Sequence, residues 1–166
     1  MTYAILGAGN VGKALAKAFA RKGIDVTLAS RRSPEELEPI VNAVGKGVHP
    51  QSLQDAAKAD VILLATPFKA YREVAKAAPS WKGKLIIDVT NAYGVSPEEL
   101  GNRPSSAVVA EAFAGAALVK AFNHLPAEVL AQDPRVGEAR RVLFLSSDSE
   151  EATAKVAAIV KELGYA

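Results

Sequence analysis

Tyr3-Ala4-Ile5-Leu6-Gly7-Ala8-Gly9-Asn10-Val11-Gly12 is the stretch on which the reading of this chain turns. Tyr3 to Leu6 is nearly continuous apolar sequence, as a strand covered on both faces requires. The spacing Gly7-x-Gly9-x-x-Gly12 follows at once. From Asn10 to Lys22 the chain reads as a helix, with Val11, Leu15, Ala18 and Phe19 on one stripe and Lys13, Lys17 and Arg21 off it. Gly23 ends that helix, being able to take the left-handed cap conformation. Ile24 to Ala29 then forms a second strand. Strand, glycine turn, helix and strand in this order make the βαβ unit that cradles a dinucleotide. In that unit Gly7 permits the tight turn, Gly9 lets backbone approach a pyrophosphate, and Gly12 lets helix and strand pack closely. The helix start at Asn10 and Val11 aims unpaired amides and its positive end at the anion. The spacing by itself also fits a turn that binds nothing; its setting between strand and helix favours the phosphate loop.

Working outward, short β-rich runs keep alternating with alanine-rich amphipathic stretches, the mark of a parallel sheet built from βαβ units. Ser33-Pro34-Glu35-Glu36 starts a helix, with serine at the cap, proline in the first turn and acids at the positive end. Gly45 to His49 reads as a third strand and Ser52 to Lys58 as a short helix. Val61 to Thr66 is a buried strand ended by Pro67, Tyr71 to Ala78 a helix, and Lys84 to Val89 the next strand. Thr90 to Ser106 is a long connection rich in turn residues. Helical Ala107 to Gly115, strand Ala117 to Phe122 and a short helix Pro126 to Ala131 come next. Strand Val142 to Ser146 and a final helix Glu150 to Leu163 complete the chain. No internal repeat is present. The expectation is an α/β protein with a doubly wound, mostly parallel sheet in three αβα layers. That is an NAD(P)-binding Rossmann fold made by one domain over residues 1–166.

The second strand ends on Ser30-Arg31-Arg32, where NAD-specific folds place an acid against the ribose hydroxyls. A carboxylate there would repel a 2′-phosphate, whereas guanidinium groups bind it through paired charge-assisted bonds and Ser30 adds a hydroxyl. NADP(H) is therefore preferred to NAD(H), although the two arginines also fit solvated charges at a strand end. Composition agrees with a small-molecule protein: 166 residues, net charge +2 and no cysteine. The basic residues are scattered, so no nucleic-acid partner is expected. Without cysteine there is no thiolate zinc site or cysteine nucleophile, and no histidine pair suits a metal. No apolar run is long enough to span a membrane and no signal segment is visible, so the expected location is cytoplasmic.

With these residues in view, the chain resembles the NADP-dependent oxidoreductases that use the deazaflavin coenzyme F-420, and the related oxidoreductase domains of the STEAP metalloreductases. The matching pieces are the glycine loop, Ala29-Ser30-Arg31-Arg32, Ala65-Thr66-Pro67-Phe68, Ile87-Asp88-Val89-Thr90-Asn91, and Val119-Lys120-Ala121-Phe122-Asn123-His124-Leu125-Pro126-Ala127. The resemblance implies that Thr66 and Pro67 pass backbone along the nicotinamide-ribose side of the cofactor. It implies that Asn91 lies beside the nicotinamide, able to bond cofactor or substrate. It also places Asn123, His124, Leu125 and Pro126 at the floor and wall of a deazaflavin pocket, and it suggests a homodimer. Members of the family continue beyond a segment like Leu163-Gly164-Tyr165 into a tail that helps close this pocket and pair subunits. Ending at Ala166, the chain is expected to lack that lid.

Hydride transfer between a nicotinamide and a flavin-like ring needs no protein nucleophile, so the scarcity of catalytic side chains is consistent with this chemistry. His124 is either a donor to a ring carbonyl or phosphate, or a surface or packing histidine. His49 before Pro50 is read as a loop residue. Asp88 is assigned to bonds with neighbouring backbone amides, and Trp81 and Phe68 to packing. Glu35-Glu36, Glu98-Glu99 and Glu150-Glu151 are helix starts rather than acid–base pairs. A dehydrogenase of the 3-hydroxyacid or imine-reducing kind would need a large helical second domain, which is not expected after Ala166. The remaining rival is an NADP(H)-binding module or redox sensor without turnover of its own.

Overall fold

The computed structural model describes residues Met1–Ala166. The main elements are β1 (Tyr3–Leu6), α1 (Asn10–Arg21), β2 (Val26–Ala29), α2 (Pro34–Val44), β3 (Val48–Gln51), α3 (Leu53–Ala56), β4 (Val61–Leu64), α4 (Tyr71–Ala75), β5 (Leu85–Asp88), α5 (Ser105–Ala112), β6 (Ala117–Ala121), α6 (Ala127–Leu130), β7 (Arg135–Val136), β8 (Ala139–Arg140), β9 (Leu145–Ser146) and α7 (Glu150–Glu162). One sheet runs in the order β3-β2-β1-β4-β5-β6-β9. Its first six strands pair in parallel, and β9 closes the edge antiparallel to β6. This is the doubly wound Rossmann topology expected from the alternating pattern.

Residues along each central strand alternate between two apolar layers. Ile5, Leu28, Leu63 and Ile87 face the layer shared with α1, α2 and α7. Ala4, Leu6, Ile62, Leu64 and Ile86 face the layer that holds Tyr71, Val74, Trp81, Val109 and Phe113. With both faces covered, β4 and β5 have no exposed residue, which explains their unbroken apolar runs. Trp81 is a packing residue: it meets Phe113 edge-on at 4.8 Å and donates Nε1–H to the Ala75 carbonyl at 2.9 Å. The Ser33 cap is a full capping box, with Ser33 N–H donating to Glu36 Oε2 and Glu36 N–H to Ser33 Oγ.

The structure shifts several boundaries. The third strand lies at Val48–Gln51, so His49 and Pro50 belong to a strand and not to a loop. Proline is tolerated because β3 is the sheet edge, where a missing N–H breaks no ladder. A single 3₁₀ turn, Phe68–Ala70, precedes α4, which stops at Ala75. Only Leu145–Ser146 of the expected Val142–Ser146 strand pairs with β6. The β7–β8 hairpin around Gly137 went unread because two-residue strands carry no periodicity.

Gly7 and Gly12 fix the turn from β1 into α1. Gly7 has φ of +127°, and a Cβ there would run into the Ala65 carbonyl. A Cβ on Gly12 would collide with the Gly7 carbonyl oxygen and press on Ile5 Cγ2 at 3.4 Å. Gly9 differs: a Cβ built on it meets nothing within 4 Å. Urea unfolding should therefore separate the glycines. Gly12→Ala should lower stability by about 1–3 kcal/mol through overpacking. Gly9→Ala should cost under about 1 kcal/mol, the size of a cap preference. Equal losses would contradict this assignment of the loop.

Candidate functional site

The parallel strands deliver the loops after β1, β2, β4, β5 and β6 to a single edge of the sheet, where ligands of open α/β folds bind. Gly7 N–H donates to the Ala29 carbonyl at 2.8 Å, and Ala65 N–H to the Leu6 carbonyl at 2.9 Å, so three loop starts are tied together. α1 opens at Gly9 with no side-chain cap and no acid in its first turn. By contrast α2 and α7 each have a serine cap and two glutamates there. The amides at Asn10, Val11 and Gly12 thus start a helix whose positive end is left for something else to satisfy.

Beside this opening, Ser30 is half-buried and its Oγ accepts the Arg32 N–H at 3.1 Å, shaping the turn. Arg31 and Arg32 are exposed, and their side chains enter no ion pair or hydrogen bond. On the other side of the loop, Thr66 follows β4 with its hydroxyl buried and unpartnered. Such an orphan costs about 1–3 kcal/mol unless a ligand or water bonds it. Pro67 beside it is exposed.

The ends of β5 and β6 are joined by polar bonds. Asp88 is fully buried and, as expected, binds the following backbone: Oδ1 accepts Thr90 N–H at 2.9 Å and Thr90 Oγ1–H at 2.7 Å. It also pairs with Lys120, whose Nζ lies 2.9 Å from Oδ2 and donates to the Thr90 carbonyl at 2.6 Å. Asn91 Nδ2 donates to the Asn123 carbonyl at 2.7 Å, and Asn123 Nδ2 to Asn91 Oδ1 at 3.2 Å. Between Lys120 and Asn123, Phe122 is fully buried with φ of +63°, a left-handed conformation rare for a bulky residue. Its ring meets Tyr165 edge-on at 5.9 Å. His124 is exposed and lies 5.3 Å from the ring of Phe144, itself 70% exposed. Leu125 packs half-buried on the core, and Pro126 precedes α6.

The structure thus gathers the glycine loop, Ser30, Thr66, Asn91 and Asn123 along one edge. Sequence reasoning quoted Lys120 and Phe122 within a matching segment but gave them no role, and it gave none to Phe144. A lone charge in each of two otherwise apolar strands, Asp88 and Lys120, was the available signal for the first; nothing local announces the others. A groove between α1, α2 and α6, lined by Lys13, Ile40, Val44 and Ala127, touches this edge only at Asn10.

Residues 2–92 match the family model described as NADP oxidoreductase, coenzyme F420-dependent. The chain belongs to this family. The match runs from β1 through Asn91 and so takes in the glycine loop, Ser30-Arg31-Arg32 and Thr66, while Asn123 and His124 lie beyond it. Two solved structures are similar over practically all of the chain. A hypothetical protein from Sinorhizobium meliloti is 40% identical with a TM-score of 0.93, over 100% of this chain and 82% of that one. A protein from Arthrobacter named as an F420-dependent NADP reductase is 26% identical with a TM-score of 0.81, over 99% and 82%. A glutamyl-tRNA reductase from Methanococcus maripaludis is 32% identical over 102 residues, 59% of this chain. The chain spans only 27% of that curated relative's length. No helix is long and apolar enough to cross a membrane.

The buried, strained Phe122 is expected to be a strong anchor of this family member's β6 end. Phe122→Ala should lower the unfolding free energy by roughly 3–5 kcal/mol, the usual loss for a fully buried phenylalanine. A loss below about 1 kcal/mol in urea denaturation would contradict that anchoring role.

Proposed function

We propose that this oxidoreductase-family chain holds NADP(H) across the ends of β2, β1, β4 and β5. We further propose that it passes hydride between the nicotinamide and a deazaflavin, coenzyme F-420, or a flavin-like acceptor lying toward β6. The observation that carries the cofactor half is the turn after β2: no carboxylate, two unpaired guanidiniums and a serine beside an open phosphate loop. Three further features fit the same ligand. The space at Gly9 is free of protein atoms, so a pyrophosphate can approach the backbone. The uncapped start of α1 offers amides to an anion. The family resemblance runs the nicotinamide-ribose side past Thr66, whose hydroxyl is buried without a partner.

The residues then divide the work. Ser30, Arg31 and Arg32 bind the 2′-phosphate, and Gly7, Gly9, Asn10, Val11 and Gly12 carry the pyrophosphate. Thr66 and Pro67 flank the nicotinamide ribose. Asn91 and Asn123 each keep one amide N–H after bonding one another, and Asn123 Oδ1 keeps its lone pairs. They can therefore present donors and an acceptor to a carboxamide or a ring edge. His124, Leu125 and Pro126 line the acceptor side. When bound there, NADPH would supply a hydride, two electrons and a proton together, for the oxidised acceptor, with the second proton coming from solvent. Alignment of two rings and exclusion of water are what the protein must provide.

The family name and the Arthrobacter relative support the acceptor class. A binding module without turnover is the second reading, and the openness of the acceptor side favours it, since His124 and Phe144 both face solvent. Stopped-flow mixing of NADPH-loaded protein with oxidised deazaflavin should show hydride exchange. Tight NADPH binding without reduction of any deazaflavin or flavin would leave the module reading instead. Arg31→Asp with Arg32→Ala should weaken NADPH by about 2–4 kcal/mol through lost paired bonds and added repulsion, with little change for NADH. Unchanged NADPH affinity by calorimetry would remove the 2′-phosphate assignment.

A further inference from the structure

Two segments repeat one layout. Asp88-Val89-Thr90-Asn91 and Lys120-Ala121-Phe122-Asn123 each set a charge on the last row of the β5–β6 ladder and an asparagine three residues on. The strands pair with Asp88 opposite Lys120, so the charges meet in the sheet and the asparagines meet above it. We infer that the Asp88–Lys120 pair is a positioning device. It fixes the β5 and β6 loops against each other so that Asn91 and Asn123 stand as one rigid amide pair at the nicotinamide end of the site. This inference rests on the NADP(H) reading above.

Saturation of the bonds supports the role. Asp88 accepts three hydrogen bonds, from Thr90 N–H, Thr90 Oγ1–H and Lys120 Nζ. Lys120 Nζ, on a side chain only 16% exposed, is shared between that carboxylate and the Thr90 carbonyl, the peptide that leads into Asn91. One ammonium thus holds both the strand end and the backbone that aims the asparagine. A buried ion pair is a poor device for stability alone, since well-packed apolar partners usually do as well or better. The neighbouring rows of these strands are indeed apolar: Ile86 opposite Leu118 and Ile87 opposite Val119. A buried pair does restrict geometry, because each partner tolerates only arrangements that keep its bonds. On the β6 side the positive φ of Phe122 turns the chain back so that the Asn123 carbonyl and amide reach Asn91. Strained backbone of this kind persists only where its surroundings over-determine it. Lys120 and Asp88 touch no ligand in this scheme; they act through Asn91 and Asn123.

Ligand pairs that differ by the nicotinamide test this directly. NADPH and its nicotinamide-free fragment, 2′-phospho-ADP-ribose, should be titrated against wild type, Lys120→Met, and Lys120→Met combined with Asp88→Asn. The double variant removes the buried charge that the single one leaves behind while keeping an acceptor for Thr90. Both variants should bind the fragment as wild type does. NADPH affinity should fall about tenfold, and hydride transfer at saturating NADPH about 100-fold, the effect of misplacing a reacting group by about an ångström. Lys120→Arg should restore part of the transfer rate. Equal losses for fragment and NADPH, tracking thermal stability, would make the pair merely structural and overturn the inference. Unchanged NADPH binding and turnover in a folded double variant would overturn it too. A wild type that binds neither ligand would be a different failure, that of the NADP(H) reading, and would take the inference with it.

Discussion

The close passage of three backbones near Gly7 is the constraint on which the rest of this structure depends. The Gly7 carbonyl fills the space a Gly12 side chain would need, and the Ala65 carbonyl fills the space a Gly7 side chain would need. Without a Cβ at either position, β1 can turn at once into α1 and the loop after β4 can lie against that turn. The Gly7–Ala29 and Ala65–Leu6 bonds then bring the ends of β2, β1 and β4 level. Parallel pairing carries the same level edge on to β5 and β6. A site made of residues from five loops follows from one unusually tight contact, because regular sheet geometry leaves the other strand ends little freedom.

The fold was readable because burial on both faces leaves a strong trace. Val61 to Leu64 and Leu85 to Asp88 are short apolar runs between turn signals, and amphipathic helices stand between them. What could not be read was set by long-range pairing. Pro50 reads as a strand breaker until the chain is known to run along the sheet edge there. Val142 to Ser146 has the composition of a strand, but only its last two residues find a partner on β6.

The site shows the same division. The glycine loop and Ser30-Arg31-Arg32 lie within one βαβ unit, so local spacing carried them. Asn91 and Asn123 came from resemblance, and their contact across two strands could not be derived from either segment alone. Lys120 received no role because a lysine in a strand usually points to solvent with its head in water. Its partner stands 32 residues away in sequence, and only the β5–β6 register puts the two side by side. Phe122 is the extreme case, since nothing in its chemistry announces a left-handed backbone.

Two styles of construction meet along this edge. Around β2, β1 and β4, groups are left without protein partners: an uncapped helix start, the buried Thr66 hydroxyl, and two exposed arginines without counter-charges. The uncapped amides and the two guanidiniums among them favour an anionic ligand. On the β5–β6 side, Asp88 and Lys120 are already bonded to one another, and the two asparagines share bonds while keeping a few free. That end holds its shape before any ligand arrives. Affinity and geometry place opposite demands on buried polar groups, since open bonds attract a ligand while closed ones fix a frame. On the proposed function, a long cofactor is bound at one end and a reacting ring aligned at the other, and both styles have a use.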